Sequence, residues 1–295
     1  MKGTKILGVL WIVVSVLLAW ILISHLTKGG NFMFGLFGAK EEKSVSVPEN
    51  ADTHFAAVDI KSIDADVSFG KIIVEKKAVG DICVSIEGNK NLWPSVYVRD
   101  GVLKIEGPER MLYIGFKTLT VTVVLPQDYE PEEIDLKSTS GSMEITGIKT
   151  RNLDMKASSG SVRLENCEAE TADIKTTSGS LKADGCRFGF LDCKVSSGSI
   201  RLGGAIGKMD VNVTSGSLRA DLSEALTGDS SLRTTSGSLH LSVPHDSNLG
   251  IKYSTMSGSY KNQITGASGK KGTDMIGNGS VKLDLSATSG SIKIE

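Results

Sequence analysis

Aromatic residues make up only 5% of this 295-residue chain, and histidine and cysteine occur four times each. Charge of one sign is not in excess either: 33 basic side chains face 34 acidic ones, for a formal net charge of −1. That balance leaves no basic stripe, which excludes the electrostatic case for a nucleic-acid partner. No helical periodicity is sustained beyond the first 24 residues, and "SEALTG" near Ser223 is the only short helix candidate there. A chain with few rings, 33 glycines and many β-branched residues points away from a layered α/β enzyme and toward a repetitive β architecture.

Chemistry-bearing motifs are equally scarce. "GASGKKGT" (Gly266 to Thr273) looks like a phosphate loop, but Ile264 stands where its first glycine belongs and Lys271 where Ser or Thr belongs. No G-x-S-x-G elbow gives the serines a nucleophile's setting. His25, His54, His240 and His245 have no cysteine or acidic pair at metal-ligand spacing, and the calcium repeat G-G-x-G-x-D is missing. No catalytic, cofactor-binding or metal-binding residue is therefore assigned.

What the chain does have begins with "ILGVLWIVVSVLLAWILIS", Ile6 to Ser24, nineteen residues without a charge. As a helix this run spans roughly 28 Å, close to the hydrocarbon thickness of a bilayer. A cleaved signal would have a shorter apolar region followed by a small-x-small site, and "ILISHLTKGG" offers none. The run reads as an uncleaved single-pass anchor in the cell membrane. Lys2 and Lys5 place residues 1–5 on the cytoplasmic side and the large C-terminal part outside. Residues 25–53 read as a tether. Residues 54–131 alternate with a period of two between Gly, Asp, Asn and Pro turns, as in "KIIVEKK" and "LTVTVVLP". They form an irregular β region that caps a stack built from the remainder of the chain.

From residue 132 to 295 one phrase recurs eight times: "SGSMEI", "SGSVRL", "SGSLKA", "SGSIRL", "SGSLRA", "SGSLHL", "SGSYKN" and "SGSIKI". The central glycines are Gly141, Gly160, Gly179, Gly198, Gly216, Gly237, Gly258 and Gly290, at intervals of 19, 19, 19, 18, 21, 21 and 32. A period near 20 is the mark of a stacked repeat. Aligned on the glycine, the positions five before (such as Ile174), two after (Leu181) and four after (Ala183) are apolar in nearly every unit. Six before stand Asp135, Asp154, Asp173, Asp192 and Asp210; four before stand Lys137, Lys156, Lys175 and Lys194. Apolar and charged columns alternate as the two faces of a strand do, and the Asp and Lys columns read as a solvated charge ladder. The phase resets across Ser-Gly-Ser, as at a bend, where glycine supplies a positive φ and small serines let rungs approach.

Two architectures satisfy this parity. One is an all-β solenoid of about 19–21 residues per coil, with columns about 4.8 Å apart. The other makes each unit an antiparallel hairpin, which needs no constant spacing and for which Ser-Gly is a poor turn. The solenoid is favoured. Cys167 and Cys186 both fall seven after their glycine and would stack as a thiol pair on adjacent rungs, within disulfide range or reduced and buried; Cys193 falls in an apolar column. The interval before Gly290, "NQITGASGKKGTDMIGNGS", reads as a projecting loop, and the chain's stop at Glu295 leaves an end rung to be protected.

An N-terminal anchor, β strands ending in "VTVVLP", serial Ser-Gly-Ser units and a second "LSVP" (Leu241 to Pro244) together resemble the bacterial "putative adhesin" family of unknown function. That family includes LiaG-like membrane-anchored proteins linked to envelope-stress operons. The resemblance covers roughly residues 54–295 and implies a β-solenoid-like fold and an envelope location; it carries over no catalytic residue. A non-enzymatic surface module that binds an envelope polymer or protein is the first functional reading. A scaffold that polymerises through its open C-terminal rung is the second, and a β-helix enzyme acting on polysaccharide, with clustered acids in a groove, the third.

Overall fold

The computed structural model describes residues 52–108 and 119–295; the expected anchor at 6–24 and most of the tether lie outside them. Among the described residues there is no α-helix and no helix long and apolar enough to cross a membrane. "SEALTG" is an irregular loop. Apart from connecting loops and two single 3-10 turns, Ala57–Asp59 and Lys90–Leu92, the described chain forms one sheet of 21 strands.

The N-terminal strands are β1 (Asp52–Phe55), β2 (Ser62–Lys77), β3 (Ile82–Gly88), β4 (Ser95–Arg99), β5 (Val102–Glu106) and β6 (Leu119–Pro126). The central coils contain β7 (Glu133–Thr146), β8 (Lys149–Ser159), β9 (Val162–Glu165), β10 (Glu168–Ser178), β11 (Leu181–Ser197), β12 (Ile200–Ser215), β13 (Leu218–Leu222), β14 (Ser230–Ser236) and β15 (Leu239–Ser242). The last are β16 (Leu249–Ser257), β17 (Tyr260–Asn262), β18 (Ser268–Gly269), β19 (Lys271–Ile276), β20 (Val281–Ser289) and β21 (Ile292–Ile294).

Between coils the pairing is parallel and in register. Asp135, Asp154, Asp173, Asp192 and Asp210 lie side by side across β7, β8, β10, β11 and β12. Parallel neighbours exclude the hairpin alternative, which pairs each unit with itself in antiparallel. Each coil has three short inward-facing runs. In the coil from Gly179 to Gly198 these are Leu181 and Ala183, then Cys186 and Phe188, then Leu191, Cys193 and Val195, all buried. The steps between runs are odd, so the chain turns a corner at each and keeps its apolar side inward. One corner is the repeat glycine. Another uses a left-handed residue, Gly147, Asn166 or Gly185 in successive coils, with φ of 67°, 52° and 62°.

The repeat glycines form a ladder along the stack, and the need for glycine is doubly physical. From Gly160 onward they adopt φ between 136° and 152°, a region that side chains avoid. A Cβ on Gly179 would also lie 1.7 Å from the carbonyl oxygen of Gly160, with the same encounter repeated at Gly160 and Gly237. The ladder begins earlier than the Ser-Gly-Ser phrase does. Gly70 in β2 pairs with Gly141, and Ala65, Ile72 and Val74 occupy the same inward columns as Leu136, Met143 and Ile145.

Both ends differ from what the sequence implies. Gly290 rests on Gly237, and Gly258 rests on Gly290, so the last coil in sequence is not the last in space. β20 lies between β14 and β16, parallel to both, and β21 lies between β15 and β17. The C-terminal strand is thus interior, not an open rung. The interval before Gly290 is not a projecting loop: β19 folds antiparallel onto β16, and β18 onto β17. The N-terminal end mirrors this arrangement. β2 sits between β7 on one side and β5 and β6 on the other, and antiparallel β3 and β4 close over β6 and β5. The C-terminal segment is tucked inside, whereas β1 lies at the outer edge, antiparallel to β3; among the described residues each end finishes on short antiparallel strands that break the parallel template.

Candidate functional site

The sequence singled out the glycine column, the Asp and Lys columns and a cysteine pair, and the structure gives each a place. The eight glycines line one edge of the stack, flanked by serines that are exposed except for the half-buried Ser142. Each lysine pairs with the aspartate of its own rung: Lys137 with Asp135 at 2.6 Å, Lys156 with Asp154 at 3.0 Å, Lys175 with Asp173 at 2.6 Å and Lys194 with Asp192 at 2.8 Å. The hydrogen bonds they donate to aspartate raise the pKa of Lys137, Lys175 and Lys194. Four rungs are neutralised in this way; in the fifth, Asp210 accepts from the uncharged Asn212 at 3.1 Å.

Cys167 and Cys186 are neighbours, buried and free; the Arg187 amide donates to the Cys167 carbonyl at 2.8 Å, which sets the two rungs in contact there. The neighbouring Cys186 thiol, followed by burial, pushes the Cys167 thiol up. Burial likewise pushes up Cys193, which lies fully inside. All three are hidden from solvent, where low-pKa exposure would mark a reactive thiol. His240 is part-buried and shares a hydrogen bond of 2.5 Å with Glu295 Oε1.

Hollows of about 620 Å³ beside Gly70, Gly141 and Gly160 and of about 400 Å³ over the lysine column accompany these features, and a third lies on another side of the stack. A groove of about 560 Å³ runs along one side of the stack across five successive rungs. Four steps at strand spacing give it a length of roughly 19 Å. In its first three rungs it is built from the positions eight and ten after the glycine, and in the fourth from those seven and nine after. Lys149 and Arg151 come from the first rung, Glu168 and Glu170 from the second, Arg187 and Gly189 from the third. Ala205 and Gly207 continue it, and the loop that replaces the expected helix supplies Glu224 and Thr227. The loop is tied down by backbone bonds from Ser223 to Gly204 and from Thr227 to Gly207.

Over the middle of this groove Arg187 reaches past Ala205 to Glu224. Nη1 donates to Oε2 at 2.9 Å and Nη2 to Oε1 at 2.6 Å, a two-bond fork. The hydrogen bonds from Arg187 hold the Glu224 carboxyl below its usual range. Beneath, the floor is bare backbone. A Cβ at Gly189 would stand 2.6 Å from the Glu170 carbonyl oxygen, and one at Gly207 would stand 2.8 Å from that of Gly189. At the N-terminal end Lys149 pairs with Glu130 at 3.5 Å. The lining carries five carboxylates, from Glu130, Glu132, Glu168, Glu170 and Glu224, against three cations.

None of the groove residues was singled out in the sequence. The signal is there, since the two columns are polar in the first coils, but their charge alternates in sign from rung to rung. Such alternation reads as ordinary solvated surface until the register brings opposite signs together.

Stacked parallel coils with closed ends and a lateral groove define a β-solenoid whose side walls, rather than its strand edges, are available for contact. The chain belongs to the Toastrack DUF4097 family, whose model matches residues 58–295. The crystal structure of a putative adhesin from Bacteroides fragilis is similar at 14% identity, covering 83% of this chain and 96% of that one, with a TM-score of 0.50. A putative adhesin from Parabacteroides distasonis matches at 14% identity over 82% and 95% of the two chains, with a TM-score of 0.45. At these identities the likeness concerns the fold. No curated protein matches the chain.

Proposed function

We propose that this protein is a non-enzymatic envelope module, held at the membrane by residues 6–24 with the stack outside, and that its lateral groove holds an envelope polymer or a protein partner. The groove with its fixed Arg187–Glu224 fork is the observation that carries this reading. The 19 uncharged residues from Ile6 to Ser24 support the anchor. The solved relatives named putative adhesins are consistent with a binding role, and a link to envelope-stress operons rests on the LiaG-like resemblance. Ionised Glu224, locked to an arginine, is poorly placed to act as a general acid.

The test has two arms. Protease added to intact cells degrades the stack if it lies outside; full protection contradicts the placement. Full-length protein co-sediments with purified cell envelopes, and Arg187→Ala weakens this; undiminished co-sedimentation of the variant rules the groove out as the contact.

The five carboxylates favour a second reading, cleavage of polysaccharide. Release of reducing ends from a polysaccharide panel, abolished by Glu168→Gln or Glu170→Gln, establishes it; no release counts against it.

A further inference from the structure

The nature of the occupant can be narrowed from the groove's own chemistry, on the reading that the groove is a binding site. We infer that it takes a linear, uncharged polysaccharide segment lying along the stack axis.

An extended peptide is recognised chiefly through its backbone, by pairing with an exposed strand edge. The groove offers no such edge. The amides of Glu168, Arg187 and Thr227 donate to Ile148, Cys167 and Gly207 of neighbouring rungs, each at 2.8 Å. What the groove does offer is side-chain donors and acceptors of both signs in fixed places. Arg187 and Glu224 immobilise each other, and the carboxylate keeps lone pairs, and the guanidinium a further N–H, beyond those the fork uses. Alternating donors and acceptors suit hydroxyl groups, each of which both donates and accepts.

Charge weighs against the other polymers. Five carboxylates against three cations repel a polyanion. A polycation would compete with ion pairs already made, Glu130 with Lys149 and Glu224 with Arg187. The floor at Gly189 and Gly207 carries no side chain, so an occupant there would meet backbone. The rungs repeat about every 4.8 Å, close to the length of one sugar unit in an extended chain, so successive sugars would fall on successive rungs.

The experiment presents full-length protein in detergent to an array of neutral α- and β-linked hexasaccharides, with oligogalacturonate and hexalysine alongside, and measures affinity by titration calorimetry. A neutral hexasaccharide is expected to bind, and Arg187→Ala and Glu224→Ala each weaken it by about tenfold or more. Both side chains are exposed, so unchanged circular dichroism and unfolding midpoint show that the variants keep the fold. Neutral binding that both variants retain in full overturns the inference. Arg187-dependent binding of only oligogalacturonate or hexalysine overturns it too, while leaving the groove as a site. Absence of binding across the array, with Arg187-dependent co-sedimentation on envelopes intact, also overturns it and points to a protein occupant. Loss of both signals ends the groove reading as well.

Discussion

At the residue scale the stack rests on a few atoms that cannot be replaced. Gly179 combines a φ of 148° with a neighbour's carbonyl oxygen 1.7 Å from where a Cβ would go. Gly179→Val is expected to cost at least about 4 kcal/mol, or to abolish folding, because strain and overlap act together. Ser180, one position on, is exposed; Ser180→Ala should stay within about 0.5 kcal/mol of wild type. Urea unfolding of the two variants checks both values, and equal stability of Gly179→Val contradicts the ladder. The cysteines give a second check. Cys167, Cys186 and Cys193 are buried and Cys83 is partly exposed, so a thiol reagent should titrate Cys83 first in the native protein and all four in denaturant. The glycine column was legible because close approach leaves a mark on residue type. The Gly70 rung was equally present, in Ala65, Ile72 and Val74, but without flanking serines it did not look like the others.

At the scale of elements, the ends decide whether the stack is finite. The C-terminal cap is held by one carboxylate. Asp274 on β19 accepts hydrogen bonds from Tyr260 at 2.7 Å, Asn262 at 2.7 Å and Thr265 at 2.9 Å. Tyr260 is fully buried and stacks on Tyr253, with ring centroids 3.8 Å apart. Partial burial pushes the Asp274 pKa up, but those hydrogen bonds outweigh it and hold the carboxyl below its usual value of 3.8. A depressed folded-state pKa adds stability above the unfolded value and loses it as pH falls through the folded one. Asp274→Asn should therefore lower the urea midpoint at pH 7, and the gap to wild type should close as pH falls below about 3.9. A gap that does not change with pH removes the carboxylate from the latch. Nothing local in the sequence announces this cap. Parallel pairing with a common period says that rungs stack but not in which order, and placing β20 between β14 and β16 is a non-local choice.

At the scale of the whole molecule, closed ends argue for a discrete particle. The polymerising scaffold needed an open C-terminal rung, and β20 and β21 are interior. Equilibrium sedimentation in detergent should show a concentration-independent species. Removal of residues 281–295, which separates β16 from β14, should produce concentration-dependent association; a native chain that forms filaments contradicts the capped description. Repetition made the stack legible, while the groove was hidden because it depends on which rungs the loop at Glu224 crosses. The central claim is that Ser-Gly-Ser, which alone reads as flexible linker, is an ordered rung corner. The amides of Gly160, Gly179 and Gly198 donate to Ser178, Ser197 and Ser215 of the next rung, each at 2.9 Å. Native-state amide hydrogen exchange at these glycines tests it most directly. An ordered corner predicts protection comparable to that of the flanking strands; exchange at the rate of an unstructured chain would contradict it.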